Sequence, residues 1–181
     1  RMFTQSRAMM WAAFDRGVRA VERDGLPGDV HAWAAARDRL AAEIDTQGVV
    51  DGHFVQAYGS SDVDAALLLL PQVGFCSPHD PRMLATVARI ERDLIDDGFV
   101  HRYRTSSGAD GLGGGENAFL ACSFWLVEQY AMSGRRDDAA ALMDRACAAS
   151  NDLGLLSEEY DPGSGRQAGN LPQALSHLAL V

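Results

Sequence analysis

Seven helical runs joined by links of unequal length constrain this chain more than any other feature of its 181 residues. From Thr4 to Asp24, Met9, Met10, Ala13, Phe14, Gly17, Val18 and Val21 recur at helical spacing, with Thr4 or Ser6 as the cap and Gly25 as the stop. Asp29 caps a second run that ends at Gly48, with Val30, Trp33, Ala34, Leu40, Ala41 and Ile44 on one stripe. A third, Val63 to Leu70 after Ser61 or Asp62, is apolar nearly all round, which predicts burial on every side. Asp80-Pro81 opens a fourth run that reaches Asp97 and stops at Gly98. The fifth extends from Glu116 to Ser133, the sixth from Arg136 to Ser150, and the seventh starts near Leu171.

Runs one, three, five and seven begin roughly 55 residues apart, the period of a stacked helix-pair array. Short links join one to two and five to six, and a moderately longer one joins three to four. Long irregular loops precede three, five and seven. Connections of one parity in an antiparallel helical array emerge at one end. The three long loops, which carry Tyr58, Arg102 and Glu158, are therefore expected to crowd into one concave mouth, the usual form of a ligand pocket. Phe54, Tyr58, Tyr103 and Tyr160 within them argue against disorder.

Composition removes several function classes. With 47% hydrophobic and 23% charged residues the chain reads as one globular domain with a sizeable core. A formal net charge of -9 argues against nucleic acid and against anionic membrane surfaces. No apolar run approaches the roughly 20 residues that span a bilayer. No signal peptide opens the sequence, and Cys76, Cys122 and Cys147 sit in or beside apolar segments without metal-ligand spacing. Reduced thiols in a cytoplasmic protein are the expectation, with no cofactor and no metal. The five histidines form no ligand pair, so each is expected to be structural or at the surface, and Met9, Met10, Trp11 and Trp125 are expected in the core.

The chemistry that remains is carboxylate acid-base work. Adjacent Glu158 and Glu159 follow Leu153, Leu155 and Leu156, which are expected to anchor the chain just before the acidic pair, and Asp161-Pro162-Gly163-Ser164-Gly165 follows. A solvated acidic pair is the competing reading. Arg102, within Arg102-Tyr103-Arg104, can grip a hydroxyl-rich or carboxylate ligand through its rigid fork, or can be a solvated basic turn. Gly111 to Gly115 lack the strand and lysine of a nucleotide cradle, and Glu116 would repel phosphate there. Glu116 serves either the helix dipole or a pocket lined by closely approaching backbone.

The runs FTQSRAMMWAAFDRGVR, FVQAYGSSDVDAALLLLPQVGF, GFVHRYR, ENAFLACSFWLVEQYAMSGRRDDA and SEEYDP followed by GRQAGNLPQALSHL resemble, in order, the glucoamylase and trehalase-like proteins of glycoside hydrolase family 15. The resemblance implies an all-α fold, an (α/α)6 toroid with its site at one end of the inner ring, and inverting hydrolysis of an α-glucosidic bond by two glutamates. Glu158 matches the general base, with Glu159 as the fallback, and Arg102 would bind the nonreducing glucose of an α-glucoside or oligosaccharide. Tyr58 and Glu116 complete the expected substrate contacts. The family's general acid lies in a Trp-Glu-x-Arg run ahead of the segment matching Phe3-Thr4, and this sequence opens at Arg1. Residues 1–181 are thus expected to form the C-terminal part of one catalytic domain, truncated at both ends, with the N-terminal half as its partner and no activity alone. A helix-pair scaffold or binding module and another toroid enzyme, an epimerase or cyclase, are the rival readings.

Overall fold

The computed structural model describes residues 1–104 and 117–181. Its element order is α1 (Thr4–Asp24), α2 (Val30–Gln47), β1 (Val49–Val50), β2 (His53–Phe54), a 3-10 turn (Ala65–Leu68), α3 (Leu69–Gln72), α4 (Pro81–Leu94), β3 (Ile95–Asp96), β4 (Phe99–Val100), β5 (Ala118–Phe119), α5 (Leu120–Met132), α6 (Arg136–Ala148), β6 (Glu159–Asp161), β7 (Arg166–Ala168) and α7 (Ala174–Leu180). Two compact units interleave along the chain. The first comprises residues 1–63 and 69–86, the second residues 64–68 and 87–181.

In the first unit α1 packs along α2, with the Trp33 ring filling the space that side chains at Gly17 and Gly28 would occupy. Gly25, at φ 68°, ends α1 in the left-handed region that favours glycine, and the Asp29 side chain caps α2 by accepting from the Ala32 N–H at 3.0 Å. Phe3, not Thr4 or Ser6, stands at the N-cap of α1, and no side chain caps it. Thr4 is instead wholly buried, its N–H donating to the Gln56 carbonyl at 3.0 Å. The buried face of α1 is Thr4, Ala8, Ala12, Asp15 and Val18, so Met9 and Met10, expected in the core, are 44% and 45% exposed. Buried Asp15 is neutralised by Arg19 at 2.9 Å and Arg37 at 3.7 Å. Phe54, fully buried, contacts Phe75 edge-on and carries the Arg82 guanidinium 5.0 Å from its ring centre.

In the second unit the core is Phe99, Ala118, Leu120, Phe124, Ala146, Ala149 and Leu156, with Tyr160 and Leu180 packed against it. α5 is the central element: α6, α7, the 3-10 turn and β4 all pack on it. This matches its apolar surface, of which Leu120 to Phe124 and Leu126 are buried. β5, β6 and β7 form an antiparallel sheet in that order, with Phe119 opposite Glu159 and Glu159 opposite Ala168.

Several expected boundaries move. The third run is not one α-helix from Val63 but a 3-10 turn followed by a single α-helical turn that includes Pro71, expected to end it. Asp64 caps the 3-10 turn, its side chain accepting from the Ala66 N–H at 2.7 Å. Helix four ends at Leu94 rather than Asp97, because Asp97 and Gly98, at φ 48° and 82°, form the two-residue turn of a hairpin pairing Ile95 with Val100. Asp51 and Gly52, at φ 49° and 78°, do the same between Val49 and Phe54, within the stretch from Val49 to Ser60 that reads as irregular or, through alternating Phe54, Val55 and Tyr58, as extended. Helix five starts at Leu120, since Ala118 and Phe119 are drawn into the sheet; helix six ends at Ala148; and helix seven starts at Ala174. The expected irregular loop from Gly154 to Asn170 holds the β6–β7 hairpin, whose turn Asp161 closes by accepting from the Gly163 N–H and the Ser164 hydroxyl. Leu153 is 77% exposed, and Leu156 alone of the three expected anchors is fully buried.

The three cysteines are free, and burial pushes the Cys76 thiol up to about 12. Among the described residues no helix is long and apolar enough to cross a membrane, and no group of three His, Cys, Asp or Glu could hold a metal ion.

Candidate active site

The backbone around Glu158 is tied to three elements of the second unit. Asn151 Oδ1 accepts from the N–H groups of Leu153 at 3.0 Å and Leu155 at 2.9 Å, closing a turn in which Gly154 takes φ 75°. Leu156 donates its N–H to His177 Nε2 at 3.1 Å and accepts from the Gln173 N–H at 2.9 Å. The Ser157 carbonyl accepts from the buried Ser176 hydroxyl at 2.7 Å. Glu158 donates its N–H to the Asn170 carbonyl at 2.9 Å, and its own carbonyl accepts from Leu120, the first residue of α5, at 3.1 Å.

With the main chain fixed, the side chain has little freedom. Glu158 is half-buried, and its Oε2 accepts from the Asn170 N–H at 3.2 Å and from Asn170 Nδ2 at 2.8 Å. Among the described residues Oε1 accepts no hydrogen bond. Gly169 makes this approach possible: it sits at φ 72°, and a Cβ there would stand 2.9 Å from Glu158 Cβ and 3.0 Å from Oε2. Gly169→Ala is expected to lower stability by about 1–2 kcal/mol from the left-handed backbone alone. Urea unfolding of the variant checks it, and an unchanged midpoint would contradict the strain.

Glu159 is held differently. It sits in the sheet, where Asn117 Nδ2 donates to its Oε2 at 3.3 Å. Successive residues at a strand point to opposite faces, so the two adjacent carboxylates do not act as a pair.

Arg102 follows β4. The Val100 N–H donates to Ser123 Oγ at 3.1 Å, and the Arg102 carbonyl accepts from the Ala65 N–H at 2.8 Å. Its side chain is exposed, with the guanidinium 5.5 Å from the Tyr103 ring centre. Burial pushes the Cys122 thiol well up, with Asp64 adding to the effect and Arg102 opposing it. The Phe99 and Tyr160 rings meet with centroids 4.9 Å apart. The segments carrying Arg102 and Glu158 are thus both anchored on the first turn of α5, through Ser123 and Leu120.

Tyr58 belongs to the first unit. Its N–H donates to the Met2 carbonyl at 2.9 Å. The phenol hydroxyl is buried without a well-aligned acceptor; burial and then the Glu43 carboxylate push it up to about 12, with Arg7 opposing. Arg7 Nε lies 3.0 Å from Glu43 Oε1, an ion pair within the same unit. Glu116 and the Gly111 to Gly115 run lie outside the described residues. A cavity of about 310 Å³, lined by Ser150, Asn151, Tyr160, Arg166 and Gln167 among others, contains neither Glu158 nor Arg102.

One regularity of the sequence links three segments. Gly52, Gly98 and Gly154 all have positive φ, at 78°, 82° and 75°, and four residues after each stand Gln56, Arg102 and Glu158. The runs DGHFVQAY, DGFVHRY and LGLLSEEY share this spacing, which would have singled out Gln56, 6% exposed, as the matching position in the first unit. Asn170 has no such marker, since an asparagine after a glycine reads as an ordinary turn former.

The family model for Glycosyl hydrolases family 15 matches residues 1–181. The chain belongs to that family. The trehalase of Mycobacterium tuberculosis (strain ATCC 25618 / H37Rv) is 43% identical over 180 residues, which are 99% of this chain and 26% of that protein. A glycosidase variant solved in complex with glucose superposes with a TM-score of 0.82 at 25% identity, over 99% of this chain and 50% of that one. A bacterial glucoamylase complexed with acarbose, 16% identical, shares the fold at a TM-score of 0.78 over 98% of this chain and 32% of its own. This family 15 chain is all-α and has the fold of a part of the glucoamylase-type (α/α)6 glycosidases, spanning about a quarter of the trehalase.

Proposed function

We propose that residues 1–181 are the C-terminal part of a single (α/α)6 catalytic domain whose complete protein hydrolyses an α-glucosidic bond with inversion, with Glu158 as general base. The observation that carries this reading is the Glu158 carboxylate itself: one oxygen held by two donors, the other unengaged among the described residues, on a main chain pinned to α5 and α7. Such a group can accept a proton from a water without first having to find its position.

In the reaction, a water oxygen attacks the anomeric carbon as the bond to the leaving oxygen breaks. The water's proton passes to Glu158 Oε1, and the leaving oxygen takes a proton from an acid elsewhere in the complete protein. Inversion asks for roughly 6.5–9.5 Å between the two carboxyl groups so that the water fits. Arg102, exposed and always charged, binds hydroxyls of the terminal glucose. The names of the relatives favour trehalose as substrate, with maltooligosaccharides as the other α-glucosides to try.

Proton NMR of the first product formed by the complete protein tests the stereochemistry. Inversion of trehalose yields one β-glucose and one α-glucose per turnover; release of α-glucose alone would contradict the mechanism. For the guanidinium, Arg102→Lys keeps the charge and loses the fork. The loss of a charge-assisted hydrogen bond, about 1.5–3 kcal/mol, corresponds to a fall in kcat/KM of roughly 10- to 150-fold. Steady-state kinetics showing less than a twofold change would remove Arg102 from the site.

A further inference from the structure

We infer that Asn170 is the positioning residue of the base: its amide and its backbone N–H fix Glu158 Oε2, so that Oε1 alone is left to take the proton of the attacking water. This rests on the assignment of Glu158 as base and adds to it a second residue, twelve positions along the chain yet in direct contact with the carboxylate.

The last dihedral of a glutamate is broad and roughly two-fold, so a carboxylate with both oxygens free presents either one over a range of angles. Two donors on a single oxygen remove that freedom. Here they come from one residue, at 3.2 Å from the main chain and 2.8 Å from the side chain. The contact is reciprocal, since Glu158 returns its own N–H to the Asn170 carbonyl at 2.9 Å. That bond is offset by one residue from the Glu159 and Ala168 register, in which Glu158 would face Gly169, and it ties the two residues together just past the end of the hairpin. Gly169, without a Cβ, lets the Asn170 N–H turn toward Oε2. Asn170 itself is exposed and contributes nothing to the apolar core, so loss of its amide leaves packing intact. A buried structural asparagine would behave differently.

The test uses the complete protein. Asn170→Ala is expected to lower kcat on the order of 10- to 100-fold, the scale of a mispositioned catalytic group, with KM within about threefold and an unchanged unfolding midpoint. Asn170→Asp, which keeps the shape and loses the donor, is expected to lose at least as much. In a Glu158→Gln background Asn170→Ala should then cost nothing further, because a residue that acts through the base has no effect once the base is gone. A kcat within twofold of the parent, a loss confined to KM, or losses that multiply in the double variant would each overturn the role of Asn170. Undiminished turnover in Glu158→Gln would instead overturn the assignment of the base, whatever Asn170 does.

Discussion

Glu158→Gln in the complete protein is expected to lower kcat by about 10²- to 10⁴-fold, the range that a positioned general base contributes. The substitution is close to isosteric, and its carbonyl oxygen can still accept from both Asn170 donors at the Oε2 position. What it places at Oε1 is an NH₂ that cannot take a proton. KM should therefore stay within about threefold, and the unfolding midpoint should not move. This pattern, a fall in kcat with KM and stability preserved, separates a missing base from a damaged site. Glu159→Gln is the comparison: Glu159 lies in the sheet and bonds Asn117, so only a minor effect is expected there.

Phe124→Ala carries the largest expected cost in stability, about 3–5 kcal/mol, because it empties an aromatic volume from a core with little room to collapse. Phe124 is 1% exposed and packs among Phe99, Leu120, Ala146, Ala149 and Leu156. Two of these neighbours matter to the site: Leu120 donates to the Glu158 carbonyl, and Leu156 lies two residues ahead of the carboxylate. Chemical denaturation measures the loss directly. A cost below about 1 kcal/mol would mean that the second unit is not organised around α5.

Much of the helical framework can be read from the chain. Thr4 to Asp24 and Val30 to Gln47 are bounded by glycine stops, and α2 also by an aspartate cap, whose local physics is strong enough to act without tertiary help. Family resemblance points to Glu158 and Arg102 as the site residues, and the segments that carry them are both hydrogen-bonded to α5. Less legible were features that depend on contact rather than on period. A helical reading of Ile95 to Asp97 overlooks the Asp97-Gly98 turn, although Asp-Gly flanked by apolar residues is a strong hairpin signal. Met9 and Met10 have the spacing of a core stripe, yet the face of α1 that is buried carries Thr4, Ala8, Ala12, Asp15 and Val18. The clamp between Asn170 and Glu158 joins residues at opposite ends of a hairpin, and no propensity of either residue announces it.

The most direct test of Glu158 as the group that activates water is azide rescue of Glu158→Ala in the complete protein, with α-glucosyl fluoride as substrate. Azide needs no base, and fluoride leaves without an acid, so azide should restore turnover and give β-glucosyl azide. A rate that does not respond to azide, with no glucosyl azide in the NMR spectrum, would contradict the assignment.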